Sequence, residues 1–218
     1  MKRYLPFVII AAVLAVAVGA GFLMFRTSQP QTSKVLPPAV GPGATPNAAV
    51  SKGAVLIDEF GDYQCPPCGA LHPILRTLKS EYGDRIQIAF HQFPLTQIHS
   101  HALEAAYAAS AAGLQGKFWE MHDLLYERQK IWKTEFDVRP IFEGYAKEIG
   151  IDVERYKRDV SSDAVALRIQ KDGSRGHSLG VKGTPTVFLN GREVPFESLP
   201  AEQLRVIIQR EIESAGKK

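Results

Sequence analysis

Short apolar runs and amphipathic stretches alternate along residues 51–218 and predict a mixed α/β domain. The run Ala54–Phe60 is apolar and contains β-branched residues, which is typical of a buried strand. The stretch Cys65–Tyr82 predicts a helix, and Ile86–Gln92 predicts a second strand. This strand–helix–strand order favours two parallel strands joined by a helical crossover.

The pattern then becomes helical for a long stretch of the chain. From Thr96 to about Leu179, alanine-rich and amphipathic segments follow one another, separated by glycines, and they predict a helical block inserted at 96–179. Thr186–Leu189 and Arg192–Val194 flank Asn190-Gly191, the dipeptide favoured in two-residue type I′ turns. We therefore expect an antiparallel hairpin, followed by an amphipathic helix at Leu199–Glu213.

The longest apolar run lies at the N-terminus. Leu5–Phe25 contains no charged residue and has the roughly 20 residues that a helix needs to cross a bilayer. Lys2 and Arg3 precede this run, and Arg26 follows it. The positive-inside bias therefore places residues 1–4 in the cytoplasm and the rest of the chain outside. The sequence predicts one transmembrane anchor over residues 5–25, in the inner or plasma membrane.

A cleaved signal peptide is the alternative interpretation of this segment. Val18-Gly19-Ala20 offers the small residues that a signal peptidase accepts, although Phe22–Phe25 continues the apolar run beyond them. Residues 26–50 hold five prolines and show no helical or strand period, which is typical of an extended linker. Under either interpretation the domain at 51–218 is exported, on the periplasmic side of the membrane.

Composition and charge narrow the classes of protein. The chain is 45% hydrophobic and 22% charged, which is typical of a globular protein. It has 26 basic and 23 acidic residues, and Lys2, Arg3 and Arg26 account for the difference. The exported part is therefore neutral, and no nucleic-acid partner is predicted.

The chain has two cysteines, which stand in the order Cys65-Pro66-Pro67-Cys68 between a predicted strand and a predicted helix. A thiol at a helix N-terminus meets unpaired backbone N–H groups and the positive end of the helix dipole, which lower its pKa. We expect Cys65 to be the nucleophile of thiol-disulfide exchange and Cys68 to be the resolving partner. Pro66 and Pro67 carry no N–H. The pKa of Cys65 should therefore lie between the free value of about 8.5 and the roughly 3.5 of the strongest oxidants.

Three other roles compete with redox exchange at this cysteine pair. Structural zinc needs four ligands, and the chain has no second pair of cysteines to complete such a site. An inert structural disulfide would close a loop too short to add much stability. A Cu(I)-binding metallochaperone is the third role, because soft thiolates select that ion, and His72 is the candidate for a third ligand. Otherwise the sequence predicts no metal and no cofactor.

Several stretches resemble the DsbA-like branch of the thioredoxin superfamily. GDYQCPPC follows a strand that ends near Glu59, GVKGTPTVFLNG lies near the C-terminus, and the helical block contains QGKFWEMHDLLYERQ. The resemblance covers most of residues 53–215. It implies an α/β thioredoxin fold with an inserted helical domain, and it implies the activity of a protein thiol-disulfide oxidoreductase.

The resemblance also assigns residues around the cysteine pair. Glu59 corresponds to the acid beneath the active site that accepts or returns the proton of Cys68, whereas its neighbour Asp58 is one residue out of register. A carboxylate solvated at a strand end is the alternative for Glu59. Thr184-Pro185 corresponds to the cis-proline loop, where the Thr184 backbone would bind an extended client peptide.

Partners follow from the resemblance, but the direction of electron flow does not. We expect exported client proteins with cysteines, a redox partner that resets the cysteine pair, and contact with the membrane through the N-terminal helix. An oxidising compartment favours an oxidase. The same residues would catalyse thiol-disulfide exchange in the opposite direction in a reductase or isomerase.

The six histidines are scattered along the chain and predict no metal site. His72 follows Cys68 by one helical turn, which places it on the same helix face and within reach of the cysteine pair. A surface histidine is the simpler expectation for it.

Overall fold

The computed structural model describes residues 54–215. Within this range a four-stranded sheet has the order β2-β1-β3-β4, and its strands are β1 (Val55–Gly61), β2 (Ile86–Gln92), β3 (Thr186–Leu189) and β4 (Arg192–Val194). β1 pairs in parallel with β2 and antiparallel with β3, and β3 pairs antiparallel with β4. The predicted parallel opening pair and the predicted closing hairpin are both confirmed.

Helices connect and cover these strands. α1 (Pro66–Tyr82) joins β1 to β2, and α8 (Ala201–Ala215) follows the hairpin. Between β2 and β3 the chain forms α2 (Ala102–Gly113), α3 (Phe118–Glu127), α4 (Gln129–Trp132), α5 (Arg139–Glu148), α6 (Val153–Val160) and α7 (Asp163–Leu179). The predicted helical insertion is confirmed. Its first helix begins at Ala102 rather than near Thr96, because the intervening segment is held as a loop against the active site.

α1 begins at Pro66, one residue after the predicted start. Proline suits the first turn of a helix, since its fixed φ is helical and its missing N–H would have no partner there. Cys65 becomes the N-cap, with φ −71° and ψ 120°. At the other end, Gly83 has φ 54°, a conformation that favours glycine, and it stops the helix before β2.

The hairpin turn has the geometry that its sequence predicts. Asn190 and Gly191 have φ values of 46° and 79°, as a type I′ turn requires. Asn190 Oδ1 also accepts a hydrogen bond of 2.9 Å from the backbone N–H of Leu56, which fastens the turn to β1. α8 begins later than predicted, because the chain first forms a 3₁₀ turn at Phe196–Ser198.

The sheet is covered on both faces. α1 and α8 cover one face through a buried apolar cluster that includes Val55, Ile57, Leu71, Leu75, Ile86, Leu204 and Ile208. α7 lies against the other face near Phe60 and Phe93, and a Cβ added at Gly176 would lie 2.6 Å from the Phe93 ring. The glycine therefore permits this close approach of helix and sheet. The insertion has its own apolar core, which reaches Cys65 and Cys68.

Within residues 54–215, no helix combines the length and the hydrophobicity that a membrane crossing requires. The predicted anchor at 5–25 and the predicted linker at 26–50 lie outside the described residues.

Candidate active site

The active-site loop connects β1 to α1 and ends at Cys65. The backbone N–H of Cys65 donates to the carbonyl of Asp62 (3.1 Å), and the carbonyl of Cys65 accepts the first helical hydrogen bond from Gly69 (3.1 Å). From α4, the side chain of Gln129 donates to the carbonyls of Tyr63 (2.7 Å) and Cys65 (2.9 Å). The helical insertion therefore fixes the backbone at Cys65 through Gln129.

The two thiols have opposite acidities. A hydrogen bond from Cys68 stabilises the Cys65 thiolate and outweighs the opposing effect of burial, so that the pKa of Cys65 is lowered to about 6. Burial raises the pKa of Cys68, which has no exposed surface. The value for Cys65 lies between the two limits expected from the sequence. Cys65 therefore has the properties of a nucleophile and a leaving group, and Cys68 those of a buried partner.

The cis-proline loop lies against the first thiol. The Thr184-Pro185 bond is cis, as the resemblance implied, and Cys65 Sγ lies 3.3 Å from the carbonyl oxygen of Thr184. The Thr184 hydroxyl is buried without a hydrogen-bond partner among the described protein groups. It can therefore turn its proton toward a Cys65 thiolate, and the Thr184 side chain contributes to the lowered pKa of Cys65.

Glu59 lies on β1 beneath the cysteine pair and is 2% exposed. Burial raises its pKa to about 8, with a further contribution from the charge of Cys65 and an opposing one from His91. Its Oε1 has no hydrogen-bond partner among the described residues. The carboxyl therefore holds a proton at neutral pH, and the alternative of a solvated carboxylate at a strand end is wrong.

Glu59 also borders a cavity of about 620 Å³ between α1, β2 and α3, which we call the α1–α3 cavity. Other residues around it include His72, Lys79, Ile88, Trp119, His122 and Asp123. The buried carboxyl therefore lies beside a space large enough to hold water, through which its proton can exchange.

A buried hydrogen-bonded cluster on the opposite face of the sheet was not expected from the sequence. His91 has no exposed surface, and its Nε2 and Nδ1 lie 2.8 Å from Asp58 Oδ1 and 3.2 Å from Asp172 Oδ1. Burial opposes protonation of His91, but the hydrogen bonds to Asp172 and Asp58 outweigh it, and its pKa is raised. Asp58, which is one residue out of register with the acid of the resemblance, therefore has its own partner in His91.

Asp62 is a second residue that the sequence reasoning missed. Its buried carboxylate accepts hydrogen bonds from the backbone of Gln64 (2.7 Å) and Leu95 (2.8 Å), and it lies 2.8 Å from His99 Nδ1. These contacts tie the active-site loop to the segment after β2. The position of an aspartate two residues before Gln64 is the one local signal that could have indicated this turn.

His72 differs from the surface histidine expected at its position. It is 6% exposed, and its Nε2 lies 2.8 Å from Asp123 Oδ1 on α3. His122 lies close by, with its ring centroid 5.4 Å from that of His72. These two histidines are therefore neighbours in the fold, although they are 50 positions apart in the sequence.

Comparison with known proteins identifies the family. The family model described as Thioredoxin matches residues 50–210. NhaA 1 of Salinispora arenicola, a Na⁺/H⁺ antiporter, is 40% identical over 139 residues, which cover 63% of this chain and 20% of the antiporter. The chain therefore spans only 20–30% of the length of the curated relatives that it matches.

Solved structures give the same fold. Oxidised BdbD from Bacillus subtilis has a TM-score of 0.64 at 22% identity, with 75% of this chain and 89% of BdbD covered. A thioredoxin-like oxidoreductase from Silicibacter pomeroyi has a TM-score of 0.61 at 25% identity, with 87% and 95% covered. The oxidoreductase DsbA from Xylella fastidiosa has a TM-score of 0.60 at 19% identity, with 75% and 89% covered. The chain therefore belongs to the thioredoxin family and has the fold of the DsbA-like thiol-disulfide oxidoreductases.

Proposed function

We propose that the protein is a membrane-anchored, extracytoplasmic thiol-disulfide oxidoreductase that oxidises cysteines of exported client proteins. The observation that carries this proposal is the opposite acidity of the two thiols. The pKa of Cys65 is lowered to about 6, whereas that of the buried Cys68 is raised. In a pair of this kind the client thiolate attacks Cys65, and Cys65 later leaves as a thiolate, because the sulfur of Cys68 is buried and has a raised pKa.

The reaction begins with the Cys65–Cys68 disulfide. A client thiolate attacks Cys65 Sγ and forms a mixed disulfide, and the bond between the two enzyme sulfurs breaks with Cys68 leaving as a thiolate. A second client thiolate then attacks the client sulfur of the mixed disulfide, and Cys65 leaves as a thiolate. The client dithiol has become a disulfide, and the enzyme disulfide has become a dithiol.

Glu59 supplies the proton that the first step requires. The departing Cys68 thiolate is strongly basic because it is buried, and the carboxyl of Glu59 is protonated at neutral pH because its pKa is raised to about 8. Transfer of this proton neutralises Cys68 and leaves the charge on Glu59 beside the α1–α3 cavity. Water in the cavity then returns a proton to Glu59 before the next turnover.

The acidity of Cys65 supports the oxidising direction. A thiol that is easily ionised stabilises the reduced form of the enzyme, which makes the disulfide a stronger oxidant. The pKa of about 6 lies below the value of about 7 for thioredoxin and above the roughly 3.5 of DsbA. We therefore propose an intermediate reduction potential, with a separate redox partner that reoxidises the cysteine pair.

The client segment would bind along the cis-proline loop. A groove of about 440 Å³ lies beside Thr184 and Pro185, and the exposed side chain of Phe196 borders it. An extended client chain can pair with the backbone of Thr184 while its side chains lie in this largely polar groove, which Lys182 and Glu193 also line. Recognition of main chain rather than of a particular side chain would suit many different clients.

A reductase or isomerase would use the same residues in the opposite direction, and the redox state of the cysteine pair in cells distinguishes it from an oxidase. The match covers only 20–30% of the length of the antiporter relatives, and their transport activity is no part of the proposal.

The test is thiol trapping of the full chain in cells, followed by non-reducing electrophoresis. We expect the wild type to be mostly disulfide. Cys68→Ser should accumulate mixed disulfides, because its Cys65 thiolate attacks a client disulfide, one client sulfur leaves as a thiolate, and no second enzyme thiol resolves the adduct. Cys65→Ser should form none. The exposed His177, changed to Gln, serves as a matched control. A mostly reduced wild type would support the reductase instead. Adducts on Cys65→Ser but not on Cys68→Ser would show that the roles of the two thiols are reversed.

A further inference from the structure

Three potential metal-binding side chains meet on the wall of the α1–α3 cavity. They are His72 from α1 and the consecutive residues His122 and Asp123 from α3. One nitrogen of each imidazole and a carboxylate oxygen of Asp123 all lie within 4.8 Å of one another. We infer that these three residues form a binding site for a divalent transition-metal ion of the Zn²⁺ class, separate from the Cys65–Cys68 pair.

The pair of His72 and Asp123 needs only a small adjustment to hold an ion, and the remaining spacings, of up to 4.8 Å, must shorten by up to about 1.4 Å. His72 Nε2 and Asp123 Oδ1 are 2.8 Å apart, the length of a hydrogen bond. In a tetrahedral site with bonds of about 2.0–2.2 Å, two ligands are roughly 3.4 Å apart. An ion would therefore take the place of the shared proton while the two side chains separate by about half an ångström, and the proton would be released.

A second contact orients the other imidazole. His122 is 4% exposed, and its Nδ1 lies 3.1 Å from the hydroxyl of Tyr63. When Nδ1–H of His122 donates to the hydroxyl oxygen of Tyr63, Nε2 keeps its lone pair for a metal ion. Fixing one ring nitrogen so that the other can coordinate is the usual arrangement around histidine ligands. The pairing with Tyr63 therefore supports a metal-binding role rather than simple packing.

The ligand set selects the kind of ion. Two imidazoles and one carboxylate suit Zn²⁺ and its neighbours, whereas Mg²⁺ and Ca²⁺ prefer oxygen ligands alone. Three protein ligands leave a fourth position open toward the cavity, which also gives the ion an entry path. Such open sites exchange their fourth ligand with water or a small anion.

One neighbouring charge opposes binding. Arg76 Nε lies 3.9 Å from Asp123 Oδ2, and the same side chain also pairs with Glu127. The guanidinium competes with an ion for the carboxylate, so the affinity should be lower than that of a closed structural zinc site. Arg76→Gln should therefore bind the ion more tightly than the unmodified site does.

The experiment uses the untagged full chain in detergent with Cys65→Ser and Cys68→Ser combined, so that thiolates contribute no ligand. Co²⁺ is titrated by its visible absorption, and Zn²⁺ by competition with a chromogenic chelator. We expect one ion per chain. Loss of a ligand in His72→Gln or Asp123→Asn should weaken binding by at least the roughly 10–100-fold that loss of a hydrogen-bond partner of a ligand costs. The exposed His177, changed to Gln, is the matched control and should leave the affinity unchanged.

Several results would overturn the inference. They are the absence of stoichiometric binding, unchanged affinity in both His72→Gln and Asp123→Asn, unchanged or weaker binding in Arg76→Gln, or equal competition by Mg²⁺ or Ca²⁺. Asp123 is about one-third exposed, so its Asn variant should fold even if a variant of buried His122 does not. Circular dichroism of each variant confirms folding. Because the cysteines are absent, the result does not depend on the proposed thiol-disulfide exchange.

Discussion

The hydrogen bond between the two thiols is the feature of the active site that a single substitution tests most directly. The donor is Cys68, and its bond is the largest cause of the lowered Cys65 pKa of about 6. Cys68→Ala removes the donor and leaves the helix, the cis-proline loop and the burial of Cys65 in place. Cys68→Ser is the matched variant, since its hydroxyl can still donate.

The size of the effect follows from the charge on the acceptor. A hydrogen bond to a charged group contributes about 1.5–3 kcal/mol, which corresponds to roughly one to two pKa units. We therefore expect the pKa of Cys65 to rise to between about 7 and about 8 in Cys68→Ala. At pH 6 the thiolate fraction would fall from about one half to between roughly one-tenth and one-hundredth. Cys68→Ser should show a smaller rise.

The assay follows the thiolate absorbance of Cys65 against pH and, independently, the rate of alkylation by iodoacetamide. Alkylation at pH 6 should slow by about 5- to 50-fold in Cys68→Ala, in proportion to the thiolate fraction. Cys65→Ser provides the background. A pKa for Cys65 in Cys68→Ala equal to that of the wild type would refute the reasoning, because the acidity would then have another source.

Four further outcomes are expected. Glu59 keeps its proton up to a pH of about 8 in the native state but only up to about 4.5 in the unfolded state, so the free energy of unfolding falls as pH rises from 4.5 to 8. In urea unfolding, Glu59→Gln should make this fall with pH less steep. An unchanged dependence of the unfolding free energy on pH would contradict the raised pKa. The raised pKa of His91 stabilises the native state fully at pH values below about 6.5, and this stabilisation is lost as pH rises through the pKa of His91 in the folded protein. Urea unfolding of His91→Gln should lack this pH-dependent contribution. Thr184→Val should raise the pKa of Cys65 and slow client oxidation in a stopped-flow assay, with little change in the melting temperature. Pro67→His should lower the pKa of Cys65, and thiolate titration that shows no shift would mean that the dipeptide does not set it.

The sequence by itself determined the features that depend on neighbouring residues. Short apolar runs placed β1 and β2, and the Asn190-Gly191 dipeptide determined the hairpin, because positive φ at both positions is a local property. The spacing of Cys65 and Cys68 at a helix start indicated the chemistry, since one helical turn brings the two thiols together. The resemblance added the cis bond before Pro185, which composition and spacing do not reveal.

The tertiary structure decided which distant side chains meet one another and which support the cysteine pair. His91 meets Asp58 and Asp172, which are 33 and 81 positions away, and Gln129 supports the Cys65 carbonyl from 64 positions away. His72 became a buried partner of Asp123 through the packing of α1 on α3. Such contacts depend on how helices dock on the sheet, and docking leaves no spacing signal in one sequence. The raised pKa of Glu59 has the same origin, because it results from burial beneath elements that join the site from both ends of the domain.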